Sequence, residues 1–450
     1  MAERKNVSVE KLGEYKKILS EMISCKTVFT ENGENKAEFE KFYSVIEKNF
    51  PNISKKAEKL TFGSGCFFYV IKGKNAAKNI LLMSHHDVVE GTPGWESDPF
   101  SATEKDGFLF GRGTIDTKTP LFAELMALEE LLAEDFEFSG FNLYIGSSNN
   151  EECSGDGMLL AAEYFKKEGI VFETVLDEGG AITEGMIPGV KCKSAVVAVH
   201  EKSRHLFLCK TVSETQNGHG SFAKASSTPA ERISRFVAEV SEKSKKIYKA
   251  NFYPEVKATF SRHVPYMSFP MNFLFGNVSV FAPLIKKIMV SIPAASAMLT
   301  TSVAFTSLST TSGSGAQPKE ATATMYLRCI REEDLYRGLD EIKKIGKKYG
   351  IEIEETLRDY CKPTDFNSKA FCDVENLLHK NFPDVAVAPF LLTAGTDARR
   401  LTDVAENILR FAPIDLSKSQ FASIHGDNEC IKIENIGECV VFYKDFIKQI

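Results

Sequence analysis

Two histidines and a group of acids sit where an imidazole–carboxylate metal centre can be built. The apolar run Ile80-Leu81-Leu82-Met83 ends in Ser84-His85-His86-Asp87-Val88-Val89, and Gly111-Arg112-Gly113-Thr114-Ile115-Asp116-Thr117-Lys118 follows. Phe141 to Ile145 runs into a polar stretch ending in Glu151-Glu152, Phe172 to Leu176 runs into Asp177-Glu178-Gly179-Gly180, and His425 lies in Ile424-His425-Gly426-Asp427-Asn428-Glu429. Residues i and i+2 of a strand share a side, so His85 and Asp87 can face one site while His86 faces away. A carboxylate behind a histidine fixes its tautomer and raises its basicity. Taken singly, each feature reads more readily as a polar strand end, a solvated loop acid or a turn former. Their coincidence carries the reading: nitrogen and oxygen ligands without thiolates suit zinc, with cobalt or manganese as alternatives.

The elements that must position these residues alternate between strand and helix. Val9 to Met22 and Asn35 to Phe50 have helical spacing, and Cys66 to Lys72 and Asn79 to Met83 read as strands. Thr119-Pro120 reads as an N-cap and first turn ahead of an apolar stripe, Leu121, Leu125, Leu128, Leu131 and Leu132. Such alternation predicts a mostly parallel sheet with functional groups beyond the strands' carboxyl ends, where His85, Asp87, Glu151, Glu152 and Asp177 would meet. Residues 203–358 differ in character. They hold a capping-box helix start at Thr228-Pro229-Ala230-Glu231, a helix over Glu332 to Tyr349 and an alternating strand, Thr322 to Cys329. The expected architecture is an α/β, mostly parallel-sheet catalytic domain (1–202 and 359–450) with an inserted smaller α+β lid (203–358).

Composition removes several function classes. With 450 residues and 43% hydrophobic content the chain is globular. A net charge of −6 and pI near 5.9 give no footprint for nucleic acid. The charged N-terminus lacks an apolar signal region, so a cytoplasmic protein is expected. The cysteines are scattered without a CxxC pair, as in a reduced protein. Ile288 to Leu308 is uncharged and about as long as a bilayer span, yet Pro293 and many Ser/Thr make it too polar. It reads as a buried or ligand-facing helix, and no membrane partner is expected. With Tyr266, Phe269, Phe273 and Phe275 it forms an acyl pocket or, preferably, lid core or a dimer contact.

In order and context, S-H-x-D-V-V, G-R-G-x-x-D-x-K, E-E-x-x-G, D-E-G-G, G-H-x-S, G-T-D-x-R and H-G-x-N-E resemble the zinc-dependent aminoacylase/carboxypeptidase family. That family includes carboxypeptidase S, acetylornithine deacetylase, succinyl-diaminopimelate desuccinylase and bacterial dipeptidases. The resemblance spans nearly the whole chain and is nearest the carboxypeptidase S branch over Trp95 to Lys118. It implies a ferredoxin-like lid and two divalent ions bridged by Asp116, one also held by His85 and Asp177, the other by Glu152 and His425. It further implies that Asp87 orients His85, that Glu151 is the general base, and that His219, in Asn217-Gly218-His219-Gly220-Ser221, stabilises the oxyanion. Arg399, in Gly395-Thr396-Asp397-Ala398-Arg399, suits a substrate carboxylate because its fork offers paired hydrogen bonds. Asp397 is placed with it in the substrate site, and Arg400 reads as a surface charge.

Two positions depart from the family. Glu90 stands where Pro often follows, and Gly315-Ala316-Gln317-Pro318 stands where a lid Asn-x-Ile-Pro is usual. The implied activity is hydrolysis of an amide next to a free carboxylate, in a small peptide or an N-acyl amino acid. A non-catalytic binding protein on the same fold is the alternative. A homodimer through the lid, and a lid swinging about two crossings near Val199 and Arg358, complete the expectations.

Overall fold

The computed structural model describes residues 4–213, 218–224, 227–311 and 315–450, so Asn217 of the His219 motif lies outside them. A ten-stranded mixed sheet forms the catalytic body. At its centre, strand Lys74–His85 runs parallel between Ser139–Ser148 and Phe172–Asp177, and Ala405–Arg410 continues the parallel set. The register pairs His85 with Ser148 and Leu82 with Leu176. Three motif-bearing strands therefore end side by side, as the alternation predicted.

Both faces are covered. Leu121, Leu125, Leu128 and Leu132 of helix Lys118–Ala133 pack with Ile80, Leu82, Leu143 and Leu176 on one side, while Met158, Ala161 and Phe165 pack with Leu81, Tyr144 and Val175 on the other. Helix Lys118–Ala133 begins at Lys118, ahead of the expected Thr119-Pro120 start. Thr119 does not cap it; its hydroxyl donates to the Thr114 carbonyl.

The lid is a four-stranded antiparallel sheet in the order Glu352–Asp359, Ser203–Val212, Glu320–Cys329, Ser302–Thr310. Alternate residues of the two central strands are buried against helices Pro229–Ile247 and Glu332–Tyr349, the pattern of a half-covered sheet. The Thr228 capping box is formed, with Pro229 in the first turn.

Part of the range expected as lid belongs physically to the catalytic body. Helix Pro254–His263 lies along strand Val385–Leu392. Thr259 donates to the Pro389 carbonyl (2.7 Å), and His263 Nε2 sits 3.0 Å from Ser194 Oγ. Strand Val385–Leu392 has one strand neighbour, and Val256 and Phe260 need burial, so the helix covers an edge and satisfies both. Glu255 binds His200 (3.1 Å) and accepts two 2.9 Å bonds from Arg331 of the lid. This is a third attachment beyond the two expected crossings. The uncharged run Ile288 to Leu308 is not one buried helix: it closes helix Val278–Val290, makes the short helix Pro293–Ala297 and enters strand Ser302–Thr310. Pro293 and the β-branched residues after it explain the break. Among the described residues no helix is long and apolar enough to cross a membrane.

Candidate metal centre

The strand ends bring His85, Asp116 and Glu152 together, with one ligand atom from each within 4.8 Å of the others. Asp116 is the hub. Its Oδ1 lies 2.9 Å from His85 Nε2, and its Oδ2 lies 3.0 Å from His425 Nε2. His425 Nε2 is also 3.1 Å from Glu152.

Buried scaffolding holds the hub. Thr117 Oγ1 accepts from the His85 amide (2.9 Å) and donates to its carbonyl (2.7 Å), tying the Asp116 loop to the strand end. Glu429 accepts from the amides of Ile115 (2.7 Å) and Asp116 (3.1 Å), and Arg112 donates to it at 2.7 Å. These contacts account for the Arg of G-R-G and the Glu of H-G-x-N-E, to which sequence reading gave no role. The buried Lys118 amine donates to the carbonyls of Met22 and Cys25, and burial lowers its pKa to about 8.

Asp87 does more than orient His85. Its carbonyl engages His85 Nδ1 at 2.9 Å, its carboxylate stands 3.4 Å from the same atom, and its two oxygens accept from the amides of Glu151 and Glu152 at 3.1 and 3.0 Å. One buried carboxylate thus sets both the imidazole and the acidic turn. His86 faces away, stacked on Phe42 with ring centres 5.0 Å apart.

Asp177 is not turned into this cluster. Its oxygens accept from the amides of Glu178 (2.9 Å) and Ala398 (3.1 Å), beside Thr396 and Arg410, and burial raises its pKa to about 6. Asp177 shares the sheet face of Val175, as His85 shares that of Leu81, but its carboxylate is committed to the Glu178 and Ala398 amides. Glu178, one residue on, stands within electrostatic reach of Asp116, His85 and Glu151. Of this acidic pair the sequence reading favours Asp177; Glu178 lies just past the strand's end, where the two-residue period gives no signal.

The electrostatics favour added positive charge. Burial alone would lower the His85 pKa, but Asp116 and Asp87 drive it well above the usual imidazole range. Bonds to Asp116 and Glu152 raise His425 to about 10. Burial opposes charge on Asp116, yet both histidines hold it far below the usual carboxylate range. Burial pushes Glu151 and Glu178 well up, and neighbouring acids add to it. A knot of acids sharing two imidazoles fits divalent cations, with hard oxygen and borderline nitrogen donors on both sides of one carboxylate.

Beside Glu151 and Glu152 a cavity of about 170 Å³ is lined by Ser154, Arg204, Arg328, Gly395 and Arg399. Arg399 is buried, donates to the Thr396 carbonyl (2.7 Å) and stands 3.9 Å from Glu151. Arg204 and Arg328 come from the lid strands and were not singled out in the sequence. Asp397 does not line this cavity; it is buried, accepting from Ser148. Arg400 is no free surface charge, since it pairs with the buried Asp359. His219 is exposed on the lid, bridged to Ala316, and its Nδ1 accepts from the Ser221 amide (3.3 Å). That bond places the ring proton on Nε2. Gly315 accepts from the Gly220 amide (2.7 Å), so the segment that departs from the family pattern braces the His219 turn.

Comparisons with known proteins bear on the family and the fold. Residues 81–449 match the family described as Peptidase family M20/M25/M40. The chain is 29% identical over 430 residues to the N-fatty-acyl-amino acid synthase/hydrolase PM20D1 of Xenopus tropicalis, covering 93% of this chain and 82% of that one. It is also 29% identical to the probable carboxypeptidase S-like 2 of Dictyostelium discoideum, covering 91% and 79%. In fold it is similar to an M20 family metallo-carboxypeptidase of Sulfolobus solfataricus, with TM-score 0.67, 18% identity and 97% and 98% coverage. It is likewise similar to the YXEP protein of Bacillus subtilis, described as a dinuclear metal-binding peptidase, with TM-score 0.59, 8% identity and 98% coverage of both chains.

Proposed function

The chain belongs to peptidase family M20/M25/M40 and is a hydrolase, and on that premise we propose that it cleaves an amide bond adjacent to a free carboxylate, in an N-acyl amino acid or a small peptide. The observation that carries the reading is one carboxylate, Asp116, engaged through its two oxygens by two different histidines, with Glu151 beside an arginine-lined cavity. Asp116 would bridge two divalent ions, zinc with cobalt or manganese as alternatives. His85 and Glu178 would complete one ligand set, Glu152 and His425 the other; Glu178 here replaces the expected Asp177. Bound ions of this kind polarise a carbonyl and lower the pKa of water.

The chain's own residues then divide the work. Glu151, kept proton-hungry by burial, takes the proton of the attacking water and returns it to the leaving nitrogen. Arg399, Arg204 and Arg328 supply positive charge for the substrate carboxylate at the end of the small cavity. His219, with its proton on Nε2, is suited to donate to the oxyanion. Both named relatives support an amino acid or its carboxy-terminal equivalent as the product: one is called a fatty-acyl-amino acid hydrolase, the other carboxypeptidase-like.

We place the protein in the cytoplasm. The exposed edge strand Ser302–Thr310, with Leu308 outward, supports a homodimer through the lid.

The test is removal and return of metal, assayed on paired N-acyl amino acids and dipeptides. Hydrolysis should vanish with the metal and return with zinc, cobalt or manganese. Full activity in protein verified as metal-free would sink the reading.

A further inference from the structure

The segment between Glu255 and Glu320 contains no acidic residue, in a chain whose net charge is −6. Its helices Met271–Gly276 and Val278–Val290 are two-faced. Phe275, Ile285 and Met289 enter a satellite core with Phe260, whereas Val280 (73% exposed), Leu284 (47%), Ile288 (48%) and Ile292 (49%) point outward. Their spacing of four residues makes one stripe along the helix and the turn after it. Phe273 and Phe269 extend it, the latter 79% exposed. A contiguous apolar face of this kind is a contact surface.

We propose that this face docks on an anionic lipid surface. Three observations select lipid. Lys286 and Lys287, on the same helix as the stripe, form no ion pair among the described residues, and Lys286 lies over the Phe252 ring, so the stripe's helix carries positive charge with no acidic partner. Protein interfaces are depleted in lysine, while interfacial helices combine lysine with Phe and Leu on opposite faces. Two copies of the face would oppose like charges, which argues against self-association. A helix of this length lies in the headgroup plane and does not cross it. This departs from the expectation of no membrane partner, which rests on the lack of a convincing spanning segment. Helix Pro254–His263, bonded to Pro389 and Ser194, fixes the face to the catalytic body, so docking would orient the whole enzyme. The proposal does not depend on the reaction catalysed.

The experiment is co-sedimentation of the full chain with phosphatidylcholine vesicles, with and without phosphatidylserine. Binding is expected only to the phosphatidylserine vesicles and should weaken with salt. The combined variant Val280→Ser, Leu284→Ser, Ile288→Ser should cut partitioning by about tenfold or more with its melting temperature unchanged. Phe269→Ser gives a second, independent reading in the same direction. Lys286→Gln with Lys287→Gln should cost about tenfold. No vesicle binding, binding unchanged in all variants, or a dimer that the same variants convert to monomer would overturn the proposal, the last assigning the face to a second copy.

Discussion

The catalytic edge buries charge, and the helices at 271–290 expose apolar surface; each inverts the usual arrangement of a folded protein. At the edge, Asp87, Asp116 and Glu429 are held by amides, histidines and Arg112 against the desolvation that opposes buried charge. On the helices, Val280 and its neighbours face water although a core lies one helix turn away. The first inversion persists because partners of fixed geometry surround these three carboxylates, and it favours a cation. The second carries no internal compensation, and it implies an external surface.

The largest effect that would break this comparison is at its hub. Asp116→Ala should abolish hydrolysis and leave bound metal below one ion per chain by elemental analysis; retained activity would show that the buried charge is only structural. Glu151→Gln should keep metal and melting temperature while lowering kcat by about 10²–10⁴-fold. Glu178→Gln and Asp177→Asn separate the two adjacent acids. By competition with a chelating dye, the first should weaken metal binding by at least about tenfold more than the second, whose oxygens serve backbone amides.

Acid stability sharpens the comparison in a region between the two. Burial opposes charge on Glu255, but His200 and Arg331 hold its pKa at about 2, below the ordinary value of 4.5. Its contribution is therefore full above about pH 4.5 and is lost as pH falls towards about 2, amounting to about 3 kcal/mol. Urea denaturation of wild type and Glu255→Gln across that range should converge at the acid end. The smallest effect belongs to the exposed face, where Val280→Ser should shift stability by no more than about 0.5 kcal/mol.

Much of the site was legible because its residues sit where strands end. His85, Glu151 and Glu152 stood out where apolar runs stop at polar motifs, and parallel pairing brings those ends together; Asp116 and His425 lie in loops, and their roles came from the family resemblance. The strand pattern could not choose between the adjacent acids Asp177 and Glu178, because Glu178 lies past the strand's end and its direction is set by the turn. Arg204 and Arg328 were hidden because their lid strands carry no motif, and their approach to Glu151 is set by tertiary packing alone. Helix Pro254–His263 shows the same limit: an apolar sequence states that burial is needed, and the partner, here strand Val385–Leu392, lies far along the chain.

The most direct test is anomalous diffraction from crystals grown with zinc. Two peaks are expected, about 3.5–4 Å apart on either side of Asp116, one touching His85 and Glu178 and the other Glu152 and His425. A single peak, peaks away from Asp116, or Asp177 in place of Glu178 among the ligands would contradict the account.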